Sequence, residues 1–353
     1  MENRKLEKNN TEKKGQEKGR NWIMAAVVLT AAALFLYSFF GGIKKKTEPI
    51  TRSAFAFNTF ITITLYDTED VSILDQCIRL CGDYEKLLSK TVEGSDIYRI
   101  NHRRPDERQI EVSPETAELI EKGLYYSSLS DGAFDITIAP LSDLWNFTDG
   151  EKKVPEASSV AEAASKTGYE KVRVSGNQIE LSDSQVQLDL GAIAKGWIAD
   201  RIKEYLVNQG VESAVINLGG NVLCLGKQVS GEPFRIGLRK PFGERYEQAA
   251  VLEITDQSVV SSGVYERNFI QDGVNYHHIL NPKDGYPYQN GLTDVTIVSP
   301  ESVDGDGLST TCFSLGLEEG MKLANSLDGV YAFFITEDGT IHYSKGAKDL
   351  LAK

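Results

Sequence analysis

Two short segments in the C-terminal third of the chain carry the residue types that acid-base and metal chemistry need. The first, Asn275–Pro287, contains His277 and His278 side by side, although the 353-residue chain has only four histidines. A histidine pair held at the end of a strand is suited to proton transfer, because imidazole titrates near neutral pH. The second, Asp304–Thr311, packs two carboxylates, three hydroxyls and two glycines into eight residues. This composition favours a site for a hard cation or a phosphate.

The second segment resembles a calcium-binding loop only superficially. Counted from Asp304, the twelfth position is Leu315 rather than Glu, and the sixth is Ser309 rather than Gly, so the loop pattern fails. Two interpretations of Asp306 remain open. It caps the helix that follows, or it binds a metal ion together with Thr310, which lies four residues later on the same helix face.

Three further positions could hold an anion, and each also has an ordinary structural explanation. Asp189–Trp197 runs from a predicted strand end into a helix start, where backbone N–H groups and Lys195 could meet a phosphate. Its spacing is not that of a P-loop, and Lys195 alone is more typical of a solvated helix lysine. Gly219 and Gly220 allow close backbone approach to a ligand or form a simple tight turn. Ser262 supplies a hydroxyl to a phosphate or lies in a strand that leaves a bend.

Hydrophobic periodicity and turn signals predict the elements that position these segments. Strands are predicted at 60–66, 213–218 and 234–238, and helices at 71–88, from Ser113-Pro114 to Asp131-Gly132, and at 191–210. Asp272-Gly273 and Asp338-Gly339 lie between β-like runs, which is a hairpin signature. Antiparallel hairpins combined with long helices indicate an α+β fold with mixed or antiparallel sheets, rather than a doubly wound sheet.

Several sulfur and aromatic residues are predicted to pack in the core. Cys77 and Cys81 lie four residues apart on an apolar helical stripe, and the four cysteines include no CxxC pair. Neither a disulfide framework nor a zinc site is therefore expected. Phe134 and Trp145 either line a pocket for a planar ring or pack in the core.

Charge separates the first 50 residues from the body of the protein. The composition, 41% hydrophobic and 25% charged, is typical of a globular chain. Residues 1–50 hold ten Lys and Arg against five Asp and Glu, which leaves a net charge of −18 on the remainder. Such a body repels nucleic acid. A phosphate ligand would then need help from a bound cation or from backbone N–H groups.

The N-terminal region predicts a membrane anchor. Residues 21–42 are uncharged and reach the roughly 20 residues that a spanning helix needs. The run ends in bulky residues, which favours an uncleaved anchor over a signal peptide. Seven Lys and Arg precede it and four follow closely, which favours the N-terminus inside and the catalytic domain outside the cell membrane. The prediction is a disordered cytoplasmic tail at 1–20, a linker at 43–53 and one catalytic domain at 54–350.

Taken in order, these segments resemble the FAD:protein FMN transferase family, also called the ApbE family, over roughly residues 54–345. The motifs that carry the resemblance are Asn58–Phe60, Ile63–Tyr66, Ser95–Asn101, Asp131–Asp135 continuing to Trp145, Asp189–Gly196, Leu218–Gly220, Ser262-Gly263 with Tyr265, His278–Pro282, Gly285–Pro287 and Asp306–Thr310.

The resemblance implies that FAD is the substrate, that it is bound with Mg²⁺, and that FMN is attached to a Ser or Thr hydroxyl of an acceptor protein while AMP leaves. It implies that His278 is the base that activates this hydroxyl. The implied metal ligands are the backbone carbonyl of Ala192 and the side chains of Asp306 and Thr310. The implied nucleotide-binding residues are Asp131, at the ribose or adenine end, Lys195, Gly219, Gly220, Ser262 and His278.

The chain departs from the family pattern at two positions. It has Asn58 where the family often has Gly, and Asn281 where the family has Asp beside the base. Two other functions remain as alternatives: a Mg²⁺-dependent FAD pyrophosphatase that uses water as the nucleophile, and a membrane-tethered flavin-binding protein without catalysis. The expected acceptor is an extracytoplasmic flavoprotein with a Ser or Thr flavinylation segment.

Overall fold

A computed structural model of the chain describes residues 48–148, 152–244 and 246–353. In chain order the strands are β1 (Ile50–Ala56), β2 (Thr59–Leu65), β3 (Gln109–Glu111), β4 (Val172–Ser175), β5 (Gln178–Leu181), β6 (Ser213–Leu218), β7 (Asn221–Gly226), β8 (Phe234–Arg239), β9 (Gln248–Ile254), β10 (Ser258–Gly263), β11 (Asn268–Gln271), β12 (Val274–His277), β13 (Leu292–Ser299), β14 (Tyr331–Thr336) and β15 (Ile341–Tyr343).

The α-helices are α1 (Val71–Leu88), α2 (Asp96–Asn101), α3 (Pro114–Leu129), α4 (Ala139–Trp145), α5 (Ala157–Ser165), α6 (Ala194–Asn208) and α7 (Ser302–Ser326). Short 3₁₀ turns lie at Tyr169–Lys171 and Ala347–Leu350. Helix α7 is interrupted at Gly316, where φ is +79°.

An eight-stranded sheet with the order β1-β2-β6-β7-β10-β13-β14-β15 organises the molecule. Three smaller sheets accompany it, formed by β3-β5-β4, β8-β9 and β11-β12. Every strand pairing in the described residues is antiparallel. The predicted α+β class is confirmed, and its sheets are antiparallel rather than mixed.

The predicted strands are confirmed as β2, β6 and β8, and both predicted hairpin turns join strands, β11 to β12 and β14 to β15. The helix predicted from Gly191 starts three residues later, at Ala194. The reason is a turn in which the N–H groups of Ile193 and Ala194 both donate to the carbonyl of Leu190. This turn places Ala192 just outside the helix.

Helix α3 begins and ends where its sequence signals predict. The Ser113 side chain accepts a hydrogen bond from the Thr116 N–H at 3.1 Å, and a proline opens the first turn, as expected for an N-terminal cap. Beyond the helix, Asp131 and Gly132 have positive φ values of 50° and 74°, a conformation that stops a helix.

One face of the large sheet packs against α1, α6 and α7. Ile61, Ile63 and Leu65 of β2 point to this face and are fully buried. Cys77 and Cys81 of α1 are also fully buried, which confirms their predicted core role. Burial raises the pKa of both thiols to about 12, so they stay protonated and unreactive. The opposite face is covered around Phe234, Leu252 and Phe333.

Helices α6 and α7 approach each other closely at Gly196. A Cβ added there would lie 2.3 Å from the Ser302 carbonyl oxygen and 2.8 Å from the Val303 Cα. We expect Gly196→Ala to lower the free energy of unfolding by about 1–3 kcal/mol, because backbone atoms cannot yield as a flexible side chain can. Denaturant unfolding measures the loss.

Gly82→Ala is the matched control for this prediction, since Gly82 also lies inside a helix but has open space around the added Cβ. That change should be neutral or stabilising by up to about 1 kcal/mol, because alanine favours the helix. Equal losses in the two variants would contradict the helix-contact explanation.

Within residues 48–148, 152–244 and 246–353, no helix is both long and apolar enough to cross a membrane. The predicted anchor at 21–42 and the predicted tail at 1–20 lie outside the described residues. Strand β1 begins at Ile50, inside the segment predicted as a linker.

Candidate active site

Asp306 joins the start of α6 to the second turn of α7. Its Oδ2 accepts the Gly196 N–H at 2.9 Å, and its Oδ1 lies 3.7 Å from Lys195 Nζ. The carboxylate is buried. Burial raises its pKa, and the positive charge of Lys195 opposes that rise. The charge of this buried carboxylate is thus compensated by a lysine and by a backbone N–H in the first turn of a helix.

Asp306 does not cap α7, so that interpretation is wrong. The helix begins at Ser302, four residues earlier. Its first N–H groups, those of Ser302 and Val303, donate to the two oxygens of Asp200 at 2.8 Å each. The cap therefore comes from α6, and the Asp306 carboxylate faces the start of α6 instead.

Thr310 lies one helical turn beyond Asp306 and on the same side of α7. Its Oγ1 is 3.0 Å from Ser262 Oγ on β10, and Ser262 also contacts Ser309 Oγ at 2.9 Å. The structure thus brings together three of the predicted residues, Asp306, Thr310 and Ser262, with Lys195 at the edge of the cluster. The side-chain oxygen atoms of these three residues are hard ligands, the type that a hard cation prefers.

The loop that contains Ala192 is held by a partly buried ion pair. Asp189 Oδ1 accepts the Gly191 N–H at 2.9 Å, and Asp189 Oδ2 lies 2.8 Å from both Lys90 Nζ and Ser142 Oγ. Burial acts to raise the pKa of Asp189, but the Lys90 charge outweighs it and the pKa is lowered. Sequence reasoning missed Lys90, because its partner is a hundred residues away.

The donors that the family resemblance implies are of the chemical type that Mg²⁺ accepts. In the described part of the chain no three His, Cys, Asp or Glu side chains cluster as a metal site. The set of Asp306, Thr310 and the Ala192 carbonyl contains one carboxylate, and Mg²⁺ is commonly held by one or two carboxylates together with substrate phosphates and water. A single buried carboxylate therefore suits a metal ion that arrives with a phosphate ligand.

The glycine pair lies in the turn between β6 and β7. Gly219 and Gly220 have φ values of 66° and 94°, and a Cβ on Gly219 would lie 2.3 Å from Thr59 Cγ2. The next residue, Asn221, accepts a hydrogen bond from Ser302 Oγ at 2.7 Å and its amide lowers the pKa of Asp306. Asn221 thus connects the glycine turn to the carboxylate cluster, a connection that the sequence alone does not reveal.

His278 follows β12 and is fixed by its backbone N–H, which donates to the Arg267 carbonyl at 3.1 Å. Its Nδ1 is buried and makes no hydrogen bond with any described residue. Burial lowers the pKa of His278 to about 3, and the charges of Arg267 and Lys195 act in the same direction. The imidazole is therefore neutral at physiological pH, which is the state a general base requires.

His277 is buried and its ring is held by backbone groups. Its Nε2 lies 2.8 Å from the Tyr288 carbonyl oxygen, and its Nδ1 lies 3.3 Å from the Ile279 backbone nitrogen. These partners require a proton on Nε2 and a lone pair on Nδ1, so the ring is neutral. Burial lowers its pKa to about 4, and the edge of the ring meets Phe313.

Asn281, one of the two departures from the family pattern, shapes the turn after His278. Its Nδ2 donates to Asp284 Oδ2 at 3.0 Å, and its Oδ1 accepts the Lys283 N–H at 3.0 Å. Both ends of the amide are used inside the turn. Asparagine therefore orients this loop by hydrogen bonding.

Asp131 lies at the edge of the site rather than within the Asp306 cluster. Its side chain is 98% exposed, and its carboxylate is 3.8 Å from Lys283 Nζ in the loop after His278. Tyr288 also connects the loop after His278 to the segment that follows Asp131, because its hydroxyl donates to the Ala133 carbonyl at 2.9 Å. The placement of Asp131 leaves its carboxylate open to a ligand.

The predicted alternative of a ring pocket at Phe134 and Trp145 is not supported by their packing. They are 4% and 2% exposed. The Trp145 ring stacks on Phe147 with centroids 5.6 Å apart, and its Nε1–H donates to the Gly285 carbonyl at 2.8 Å. Both aromatic residues belong to the core.

Asp294 is a second buried carboxylate near the site, on β13 beside β10. It accepts hydrogen bonds from the hydroxyls of Tyr265 and Thr296, each at 2.8 Å. Burial raises its pKa to about 7. The folded protein therefore binds this proton more tightly than the unfolded chain does, and the contribution of Asp294 to stability declines as pH rises from about 4 to about 7.

We expect Asp294→Asn to flatten the dependence of stability on pH across that interval, because the amide does not titrate. Denaturant unfolding of parent and variant at half-unit pH steps measures the difference between the two curves. Parallel curves from pH 4 to pH 7 would contradict the raised pKa.

A groove of about 790 Å³ lies elsewhere, between α3, α6 and the start of α7. Its walls are of mixed charge and include Glu121, Lys122 and Arg201. None of the predicted site residues lines it.

Residues 57–334 match the family model of the ApbE family. This chain belongs to the ApbE family. The match covers most of the range over which the motif order predicted the resemblance, and that prediction is confirmed.

Two relatives of this ApbE-family chain are FAD:protein FMN transferases. The one from Klebsiella pneumoniae (strain 342) is 38% identical over 294 residues, which cover 82% of this chain and 90% of the relative. The one from Treponema pallidum (strain Nichols) is 31% identical over 327 residues, which cover 87% of this chain and 90% of the relative.

Two solved ApbE structures also superpose on this chain. The flavin transferase ApbE from Vibrio cholerae superposes with a TM-score of 0.78 and 28% identity, covering 86% of this chain and 99% of that one. The ApbE protein from Thermotoga maritima superposes with a TM-score of 0.79 and 30% identity, and the match covers 87% of this chain and 100% of that one.

Proposed function

We propose that this protein transfers FMN from FAD to a Ser or Thr hydroxyl of an acceptor protein, with Mg²⁺ bound and AMP released. The enzyme class is supported by the FAD:protein FMN transferases and the flavin transferase structure to which the chain is similar. The observation that carries the proposal is His278, whose buried Nδ1 has no partner among the described residues and whose ring is within reach of the charge of Lys195, the lysine that pairs with Asp306.

The oxygen atoms of Asp306, Thr310 and the Ala192 carbonyl would hold the metal ion. When bound, Mg²⁺ would neutralise the charge of the pyrophosphate as its phosphorus is attacked. Lys195, 3.7 Å from Asp306 Oδ1, would add a second positive charge. Gly219 and Gly220 would let the nucleotide approach the backbone closely, since neither carries a side chain.

His278 would remove the proton from the acceptor hydroxyl. The hydroxyl oxygen forms a bond to the phosphorus of the FMN half, and the bond from that phosphorus to the bridging oxygen breaks. AMP leaves with the bridging oxygen, and the hydroxyl proton passes to the imidazole. A hydroxyl is a weak nucleophile at neutral pH, and an adjacent base gives it the reactivity that the step requires.

We also propose that residues 21–42 anchor the protein in the cell membrane with the catalytic domain outside. The length of the apolar run and the excess of Lys and Arg before it support this orientation. The natural acceptor is then an extracytoplasmic flavoprotein. Protease treatment of intact spheroplasts tests the orientation: a catalytic domain that is protected from protease would contradict it.

The experiment that tests the activity is incubation of the full chain with FAD, Mg²⁺ and a candidate acceptor, read by mass spectrometry. The gain of one FMN by the acceptor supports transfer. Free FMN with AMP would indicate a pyrophosphatase, and intact FAD would indicate binding without catalysis. Either of these last two outcomes overturns the proposal.

A further inference from the structure

Arg267 has a backbone that is fixed beside the candidate base. Its carbonyl accepts the His278 N–H at 3.1 Å, and the next residue, Asn268, pairs with His277 in the β11–β12 hairpin. Two residues earlier, the Tyr265 hydroxyl is anchored to Asp294. Both ends of this short segment are therefore held.

The side chain of Arg267, in contrast, is exposed and has no hydrogen bond or ion pair with any residue in the described ranges. The neighbouring carboxylate is already used: Glu266 Oε1 lies 3.1 Å from Arg239 Nη1. The Arg239 guanidinium in turn lies 5.1 Å from the centre of the Tyr265 ring. Among the described residues no carboxylate therefore competes for the Arg267 guanidinium, which is available to an anionic ligand that reaches the base.

Two cations therefore act on His278, Arg267 from its own hairpin and Lys195 from the start of α6. Lys195 is engaged by Asp306, while Arg267 has no partner among the described residues. If the base takes the proton of the attacking hydroxyl, the attacked phosphorus must come within bonding distance of that hydroxyl. Because the Arg267 backbone is held against His278, its exposed side chain can reach a phosphoryl group attacked beside that base.

We propose that Arg267 binds the phosphoryl group that the acceptor hydroxyl attacks and stabilises the charge on its oxygens during transfer. This inference rests on the proposed FMN transfer and adds a residue to its catalytic set. The planar guanidinium donates two parallel N–H bonds to phosphate oxygens, which a lysine ammonium cannot do. Donors aimed at oxygens that carry the developing charge commonly account for large rate effects.

The first test measures transfer in cells that express the full chain, as covalent flavin fluorescence on membrane proteins after denaturing electrophoresis. We expect Arg267→Ala to lower the transfer rate on the order of 10²-fold. Arg267→Lys should recover only part of that loss, because it restores the charge without the paired donors. Arg235→Ala, an exposed arginine on β8, is the matched control and should transfer at the parent rate.

The second test does not require activity. Calorimetric titration of the purified full chain with inorganic pyrophosphate should show binding at least tenfold weaker in Arg267→Ala than in the parent, as expected for the loss of a hydrogen bond to a charged group. Unchanged pyrophosphate affinity in the variant overturns the proposal, even if transfer is lost, because a purely structural role would give that result.

Failure of the parent chain to flavinylate any protein would overturn the proposed function and not the phosphate-binding role, which the pyrophosphate titration decides separately. A parent that transfers FMN, with Arg267→Ala transferring equally fast, would overturn the role of Arg267 alone.

Discussion

Replacing His278 with alanine is expected to slow FMN transfer by about 10²–10⁴-fold, the usual contribution of a general base, while FAD binding is largely retained. The imidazole is neutral because burial and nearby cations lower its pKa to about 3, and its buried Nδ1 has no partner in the described residues. Removing the ring takes away the proton acceptor and leaves the phosphate-binding and metal-binding groups in place. Mass spectrometry of the acceptor gives the rate, and calorimetry gives the affinity for FAD.

His102→Ala is the control for this variant. His102 is exposed at the end of α2, where its Nδ1 contacts the Tyr98 carbonyl, and its loss should leave transfer unchanged. An unchanged transfer rate in His278→Ala would show that another group takes the hydroxyl proton. Loss of FAD affinity to the same extent as loss of rate would assign His278 to substrate binding instead.

The elements around the site were predictable because their signals are local. Alternation in β2 buries Ile61, Ile63 and Leu65 on one face, and the capping serine with the following proline fixes the start of α3. Such features depend on residues within one or two turns of each other. The start of α6 differed from the prediction because the turn at Leu190–Ile193 competes with helix.

The start of α7 was not predictable from the local sequence. Asp306 was one candidate cap because it is an acidic residue ahead of an apolar run, yet the caps on the first N–H groups come from Asp200, about a hundred residues earlier. No spacing rule connects residues so far apart. The error matters for function, since a capping Asp306 would have its carboxylate occupied by its own helix.

The candidate site was also predictable only where its signals are local. Individual motifs pointed to Lys195, His278 and Asp306, but their convergence depends on the packing of α6, α7 and the β11–β12 hairpin. Arg267 was missed because a single exposed arginine in a sequence has no distinguishing mark. Its only signal in the sequence was its place at the end of the run Val260–Arg267, two residues after Tyr265.

Asp306→Asn is expected to reduce Mg²⁺-dependent transfer on the order of 10²-fold or more, because the single carboxylate of the proposed metal site becomes a neutral amide. Asparagine keeps the size of the side chain and an oxygen that can accept the Gly196 N–H, so the packing of α6 against α7 should survive. The transfer rate as a function of Mg²⁺ concentration measures the effect. A shift of the dependence to higher Mg²⁺ would identify lost metal affinity, and calorimetric titration with Mg²⁺ in the presence of FAD would confirm it.

Asp304→Asn separates this metal effect from a general loss of negative charge in the first turns of α7. Asp304 lies two residues before Asp306, but its carboxylate pairs with Lys122 Nζ at 2.8 Å and accepts the Tyr126 hydroxyl on α3. Its loss should cost about 1 kcal/mol of stability, the upper range for a partly exposed ion pair, and leave the Mg²⁺ dependence of transfer as in the parent. If the two variants shifted that dependence equally, the metal would respond to the charge of the helix start rather than to coordination by Asp306. A shift confined to Asp306→Asn would be the result that coordination requires, since only that carboxylate faces Lys195 and the start of α6.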